Sequence, residues 1–488
     1  MPLEHSSTLE TQDLDDFSHL TAQESFTVEG QIKKMEMVEA MVRSRWEGHV
    51  RKVEQQLKQE RGLSGAALNE ALQEIQKIRI KRLKIRDVII KNGDTEEVKE
   101  WFNLIVEKGD GNDDEIDPSL YRVMIPAHID TVSSGARTEL NQDLQHPDRV
   151  TGLGVYDMGA AALNNIALAA EVNVPKGMKV YFAFTVDEEV ESRGARILSD
   201  KEHWHVWPHI DCVVSSEIGP LPPLPDEDPR MRLITARSGR IKFHGDIRID
   251  PRAQGHGAVD NLPNAGDAMM EVLNKLKHRF HHGYQAPVPA ESEPPQQRSH
   301  DLLGTESFEL GPYAALSTRE GYFPTNRANF SFAVKMVSPS TIAEYSRIFD
   351  RWTRGIRKAG RWDEFGISST FGRDAGVASY ESYAMPPDHK LVLMASAVLE
   401  RISEVVPEIM GAPSVADECD YAQSMLREAG VSSFQDTGKG IITIPINGDD
   451  AHHPDEWVSK SSILQVRRAI QALIQDEDGF RSLLRKTV

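Results

Sequence analysis

The chain has 488 residues, enough for two domains with separate cores, and its formal net charge of −19 argues against nucleic acid as a partner of the whole molecule. Its two cysteines, Cys212 and Cys419, form no C-x-x-C pair and point to a reducing compartment. The polar, acidic start carries no secretory signal pattern and no apolar run approaches membrane-spanning length, so a cytoplasmic protein without a membrane partner is expected.

In chain order, residues 1–27 read as a loosely attached acidic arm. Helical spacing follows over 31 to about 60, with Met35, Val38, Met41 and Val42 in register, and a second helix is expected over 66–77. The basic run from Lys77 to Arg86 alternates apolar and charged residues. It reads as the entry to an edge strand whose outward cations discourage further pairing, rather than as a nucleic-acid or membrane patch. From about 79 to 236 the pattern is that of a βα region. Buried strands are expected at the runs ending Val123-Met124-Ile125, at Val180–Val186 and at 211–216, and later at Ile441–Ile446.

After Arg237 the texture changes. Residues 240–249 and 329–336 alternate like half-exposed strands, while 264–278 and about 340–358 read as helices. Strand, helix, strand, helix in this order indicates an α+β insert of about 237–380, with 28–236 and 381–488 forming the catalytic domain. The expected class is an α/β catalytic domain, with a mixed, mostly parallel sheet and helices on both faces, carrying an inserted α+β domain.

Each buried run is followed by residues with metal-binding chemistry. His128 and Asp130 lie two apart after the first run. That spacing on an extended chain puts both side chains on one face, where a carboxylate can orient a metal-bound imidazole. Asp157 sits in a Gly-punctuated turn that runs into an alanine-rich helix. Glu188 and Glu189 follow the second run, Glu217 the third, and His452 and His453 the last. In open α/β sheets ligands collect at the carboxyl ends of strands, which is where these residues fall. Taken singly, each motif has a plain alternative: a surface turn for the His-x-Asp triplet, a solvated face for the Glu pair. Either histidine of the doublet suits a ligand.

The ordered set His128/Asp130, Gly-x-x-Asp157-Met158, Asp187-Glu188-Glu189-x-x-Ser192-x-Gly194-Ala195, Glu217 and His452-x-Pro454-Asp455-Glu456 resembles the dinuclear-zinc metallopeptidases of the aminoacylase, glutamate carboxypeptidase and peptidase T type, over about 95–475. The resemblance implies that Asp157 bridges two zinc ions, with Glu189 and His452 completing one site and His128 and Glu217 the other. It implies that Asp130 orients His128 and that Glu188 is the general base toward a metal-activated water. Manganese or cobalt also suit such donors. The alignment selects His452, with His453 in the small-residue place. The insert is then a lid and dimerisation domain of a homodimer, and His256 in Gly255-His256-Gly257 is the residue that reaches the other protomer's oxyanion.

Two departures bear on the substrate. Gly159 stands where many relatives have Lys after Asp-Met, and Lys335 stands where the insert's strand commonly ends in Arg. Asn326, Arg327 and Arg319 are candidates for substrate binding. The expected activity is hydrolysis of a C–N bond in a small peptide or N-acyl amino acid. Hydrolytic deamination of a small amino-bearing acid on the same site is the alternative. A catalytically inactive binding protein is the reading of another class, disfavoured by the intact Glu188.

Overall fold

The computed structural model describes residues 9–61, 63–65, 67–69, 78–92, 95–111, 113, 115–133, 140–218, 222–225, 228–249, 264–280, 299–316, 326–337, 341–360, 362–363, 367–373 and 379–476. These divide into two compact units. The first comprises Met1–Thr235, Ala384–Ala412 and Ala416–Val488, and the second Ala236–Tyr383 with Pro413–Val415.

The first unit opens with helices α1 (Thr11–Ala22) and α2 (Val28–Arg61). The expectation of a loosely attached arm is corrected here, because Phe17 and Leu20 of α1 are fully buried. Asp13 bonds Arg45 of α2 at 2.7 Å and Arg467 at 3.0 Å, and Asp16 also pairs with Arg45. The acidic composition that suggested a solvated arm is therefore spent on buried guanidinium partners. Of the helix expected over 66–77, residues 67–69 are among those described and are helical, and the rest lies outside the described residues.

A nine-stranded mixed sheet forms the body of this unit. Its first strands, β1 (Arg79–Asn92) and β2 (Thr95–Gly109), pair as an antiparallel hairpin with β1 at the edge. From Arg79 to Arg86 the basic run thus belongs to an edge strand, as its alternation suggests. Inward lie β4 (Met178–Thr185), β3 (Tyr121–His128), β5 (Cys212–Ser215) and β11 (Gly440–Thr443), neighbours in that order and mutually parallel. Every residue of β3 and β4 is buried. Strands covered on both faces require unbroken apolar runs, which is why the sequence shows no alternation there.

Helix α3 (Ala160–Glu171) has eleven residues, all Ala, Leu, Ile or Asn, buried between α2 and the sheet. Helix α8 (Lys460–Gln475) buries Ile463, Val466, Ile470 and Leu473 at helical spacing. A four-stranded antiparallel satellite sheet joins Gly448–Asp449, Trp457–Ser459, Arg149–Thr151 and Asn141–Gln142 in that order. It ties chain segments three hundred residues apart.

The second unit is a four-stranded antiparallel sheet of β7 (Gly239–Ile249), β8 (Ser307–Leu316), β9 (Arg327–Met336) and β10 (Ile367–Arg373), in the order β8-β9-β7-β10. β7 is buried at alternate residues. On its apolar face lie α4 (Ala265–Phe280) and α5 (Ile342–Ala359). Helix α5 supplies Tyr345, Phe349, Trp352 and Ile356 to a core that includes Phe243, Phe330 and Phe332.

Candidate metal centre

Four parallel strands end side by side, and each hands a polar group to the same place. β3 ends in His128 itself, with Asp130 just beyond. β4 ends at Thr185, and the chain turns at Asp187 (φ +69°) into Glu188 and Glu189. β5 ends at Ser215, whose hydroxyl takes the Glu217 N–H at 3.1 Å. After β11 the chain runs into the satellite sheet, whose loop carries His452 with φ +69°.

Asp157 comes from the turn Val155–Gly159 that leads into α3. The Glu456 carboxylate holds this turn by accepting the N–H groups of Gly154 (2.9 Å), Tyr156 (2.6 Å) and Asp157 (2.8 Å). The satellite strand pair Trp457↔Thr151 sets Glu456 beside that turn. The same small sheet therefore delivers both Asp157 and the His452 loop.

Two groups of three result. His128, Asp157 and Glu217 form a buried one, and Asp157, Glu189 and His452 form one that opens to solvent at His452. Asp157 belongs to both. Its Oδ1 lies 2.8 Å from His128 Nε2 and its Oδ2 3.0 Å from His452 Nε2. Glu217 Oε2 lies 3.8 Å from His128 Nε2, and Glu189 Oε2 3.0 Å from His452 Nε2. His453 is exposed and faces Asp455 instead.

Asp130 sits behind His128, with one difference from the expected arrangement. The nearer acceptor for His128 Nδ1 is the Asp130 main-chain oxygen at 3.2 Å, while its carboxylate Oδ1 lies at 3.7 Å. The other carboxylate oxygen accepts the Glu189 N–H at 3.1 Å. Asp130 thus braces one residue of each group.

The site is rich in carboxylates and poor in cations. Burial raises Glu188 well above the usual carboxylate range, with the charges of Glu217 and Asp417 adding to it against the pull of His128. Glu189 is raised by burial and by Asp157. Burial would lower His128, but Asp157 and then Glu217 overcome it and push the imidazole well up. His452 is raised to about 10 by its bonds to Asp157 and Glu189. Burial works against Asp157 as an anion, yet His128 and His452 hold it below the usual range. Buried carboxylates at this density are stabilised as anions by a nearby multivalent cation.

Three further residues belong to the site's surroundings. Glu456 closed the last sequence motif but had no role assigned. Asp417, in the first turn of α7 (Asp417–Ala429), is buried, accepts from Thr185 Oγ1 at 3.1 Å and is pushed by burial to about 7. Its only sequence signal is an acidic helix start. Lys34 of α2 is 3% exposed, and burial draws it down to about 8 against the charges of Asp130 and Glu456.

The remaining candidates fall elsewhere. His256 and Arg319 lie outside the described residues. Asn326 and Arg327 are in the second unit, where the Asn326 carbonyl accepts from Ile249 N–H at 2.9 Å and the Arg327 guanidinium pairs with Asp246 at 2.7 Å. Lys335 donates to the Leu303 carbonyl at 3.0 Å.

A shared carboxylate between two His-carboxylate groups, set at the ends of parallel strands with a further glutamate alongside, is the architecture of a metal-dependent hydrolase. Residues 124–476 match the model of Peptidase family M20/M25/M40, and the chain belongs to that family. It is 22% identical over 382 residues to acetylornithine deacetylase of Klebsiella pneumoniae (strain 342), covering 76% of this chain and 82% of that protein. In fold it is similar to aminopeptidase PepT from Bacillus cereus ATCC 10987, with a TM-score of 0.62 and 12% identity over 96% of this chain and 99% of that one. It is also similar to the Bacillus subtilis YXEP protein, described as a dinuclear metal binding peptidase from the M20 family (TM-score 0.54, 12% identity, 95% and 97% covered).

Proposed function

We propose that this hydrolase cleaves a C–N bond in a small peptide or an N-acyl amino acid at a two-zinc centre. The observation that carries the proposal is Asp157, whose two carboxylate oxygens face two different histidines at 2.8 and 3.0 Å. The donor set suits metal. Each group combines imidazole and carboxylate, and the buried Glu189 Oε1 has no hydrogen-bond partner among the described residues. His128 and Glu217 would hold one ion, Glu189 and His452 the other, with Asp157 between them. Manganese and cobalt suit the same donors.

Ions held there would acidify a shared water and polarise the scissile carbonyl. Glu188 adjoins the ligand Glu189 but belongs to neither group, so its carboxylate remains available to a proton. In the proposed step it takes a proton from the attacking water as oxygen bonds the carbonyl carbon, then gives it to the nitrogen as the C–N bond breaks. Asp130 and Glu456 touch no reacting atom. They fix the ring of His128 and the Asp157 turn. His256 is proposed as a donor to the developing oxyanion across a homodimer formed by residues 237–380, and His256→Ala is expected to lower turnover with metal content unchanged.

The test combines metal analysis with amine release from dipeptides, N-acyl amino acids and aminoaryl acids. Glu188→Gln is expected to keep its metal and lose roughly 10²–10⁴-fold in turnover. Release from the aminoaryl acids alone would transfer the assignment to deamination. A metal-loaded wild type as inert as the variant across the panel would favour a binding protein.

A further inference from the structure

We propose that Asp417 and Glu418, neighbours in the first turn of α7, are positioning residues of the metal centre: they accept the hydroxyls of Thr185 and Thr443 and so fix the ends of the two strands that flank β3 and β5. The proposal rests on the metal-site reading above and adds to it a brace from a helix that carries none of the proposed ligands.

Strands β4 and β11 are the outer two of the four parallel strands, and Thr185 and Thr443 are their last residues. Thr185 Oγ1 donates to Asp417 Oδ2 at 3.1 Å, and Thr443 Oγ1 donates to Glu418 Oε1 at 2.9 Å. All four residues are buried. The bonded partners are 232 and 25 residues apart in the chain, so one helical turn joins strands from opposite ends of the sequence. Farther along α7, Ser424 Oγ accepts the Trp207 indole N–H at 2.9 Å and donates to the Ser199 carbonyl at 2.6 Å, a separate anchor that touches neither strand end.

Each threonine is tied in turn to the proposed ligands. Thr185 is in register with His128, and its carbonyl takes the N–H of Ile129, between His128 and Asp130, at 3.0 Å. Just past Thr185 the same chain turns into Glu188 and Glu189. Thr443 is in register with Ser215, whose carbonyl takes the Ile444 N–H at 2.9 Å and whose hydroxyl takes the Glu217 N–H at 3.1 Å. Asp417 therefore acts on the side of His128 and Glu189, and Glu418 on the side of Glu217. A buried carboxyl group needs donors, and a strand-end hydroxyl is a donor whose place the sheet already sets. Because the two acceptors are adjacent on one helix, they hold the two strand ends at a fixed separation, and the ligands beyond those ends with them.

The experiment titrates cobalt(II) into metal-stripped full-length protein, reading the visible absorption of the bound ion, and measures urea unfolding of the stripped proteins. Wild type, Thr185→Val, Thr443→Val, Thr185→Ser, Thr443→Ser and Ser424→Ala are compared. Both valine variants are expected to bind cobalt roughly tenfold or more weakly, with an altered spectrum, as loss of a residue supporting the ligands does. The serine variants, which keep the hydroxyl, are expected to hold the wild-type affinity and spectrum. Ser424→Ala is expected to lower the urea midpoint while leaving the cobalt complex unchanged.

Wild-type affinity and spectrum in the valine variants, beside a normally loading wild type, overturn this proposal alone, and a change confined to one of them overturns the paired brace. Equal weakening of the cobalt complex in Ser424→Ala also overturns it, since any loosening of α7 would then suffice. A wild type that takes up no cobalt overturns the metal reading and this proposal with it. If Thr185→Val does not fold, Thr185→Val/Asp417→Leu decides, because removing both partners leaves no buried acceptor unpaired. A folded double variant with weakened cobalt binding supports the brace, whereas wild-type binding, or failure to fold, assigns the pair to fold stability alone.

Discussion

His452 and His453 are adjacent, chemically identical and both substantially exposed, so only direction separates them. The positive φ at His452 turns its ring toward Asp157 and Glu189, each 3.0 Å away, and leaves His453 facing Asp455. His452→Ala is therefore expected to cost the protein one equivalent of metal under dialysis, read by elemental analysis, whereas His453→Ala retains the wild-type amount. Gly159 shows a different constraint. Its backbone is helical (φ −55°, ψ −39°), so alanine meets no torsional penalty, but a Cβ there would lie 2.3 Å from the Gly154 carbonyl and 3.3 Å from the Phe17 ring. Gly159→Ala is expected to destabilise by about 1–3 kcal/mol through overpacking, measured by urea unfolding. A gain, which helix propensity alone would give, would show that the turn before α3 yields.

At the scale of elements, the N-terminal helices are locked by charge as much as by apolar packing. The Arg45 side chain is 7% exposed between Asp13 and Asp16, and Arg467 of α8 reaches the same Asp13. Arg45→Met leaves two buried carboxylates short of a partner and is expected to cost about 3–5 kcal/mol, seen as a lower urea midpoint. The pH dependence has a definite sign. Burial alone would raise Asp13, but Arg467 and Arg45 outweigh it and hold its pKa below the model-peptide value of 3.8. Its stabilising contribution is full above that value and is lost as pH falls through the lower folded pKa. The protection of α1 amides, taken as exchange relative to its intrinsic rate at each pH, is expected to fall at acid pH in the wild type, with a weaker dependence in Asp13→Asn.

These helices also show what the sequence revealed and what it concealed. The parallel strands were legible because burial on both faces demands long apolar runs, and the groups at their ends were legible because each run stops at one. The docking of α1 was not, since its aspartates find arginines 32 and 454 residues away, and composition cannot distinguish a paired carboxylate from a solvated one. Lys34 and Arg45 did leave a trace, both falling in phase with the apolar stripe of α2. Charged residues at core positions of an amphipathic helix are either misplaced or paired.

At the scale of the whole molecule, the proposed ligands His128, Asp157, Glu189, Glu217 and His452 all lie in the first unit, while the second has its own aromatic core around Phe243, Phe332, Phe349 and Trp352. A ligand stabilises only the folding unit whose native state binds it, by RT ln(1 + [L]/Kd), or about 4 kcal/mol at a thousandfold excess over Kd. Calorimetry of the metal-loaded protein is accordingly expected to resolve two transitions, and chelation to shift one downward while leaving the other in place. Glu217→Gln should reduce the size of that shift, since it weakens binding at the buried group without touching the second unit. A single transition that moves as a whole on chelation would mean that the two cores unfold as one cooperative body, and that metal stabilises residues 236–383 as strongly as the strands that hold its ligands.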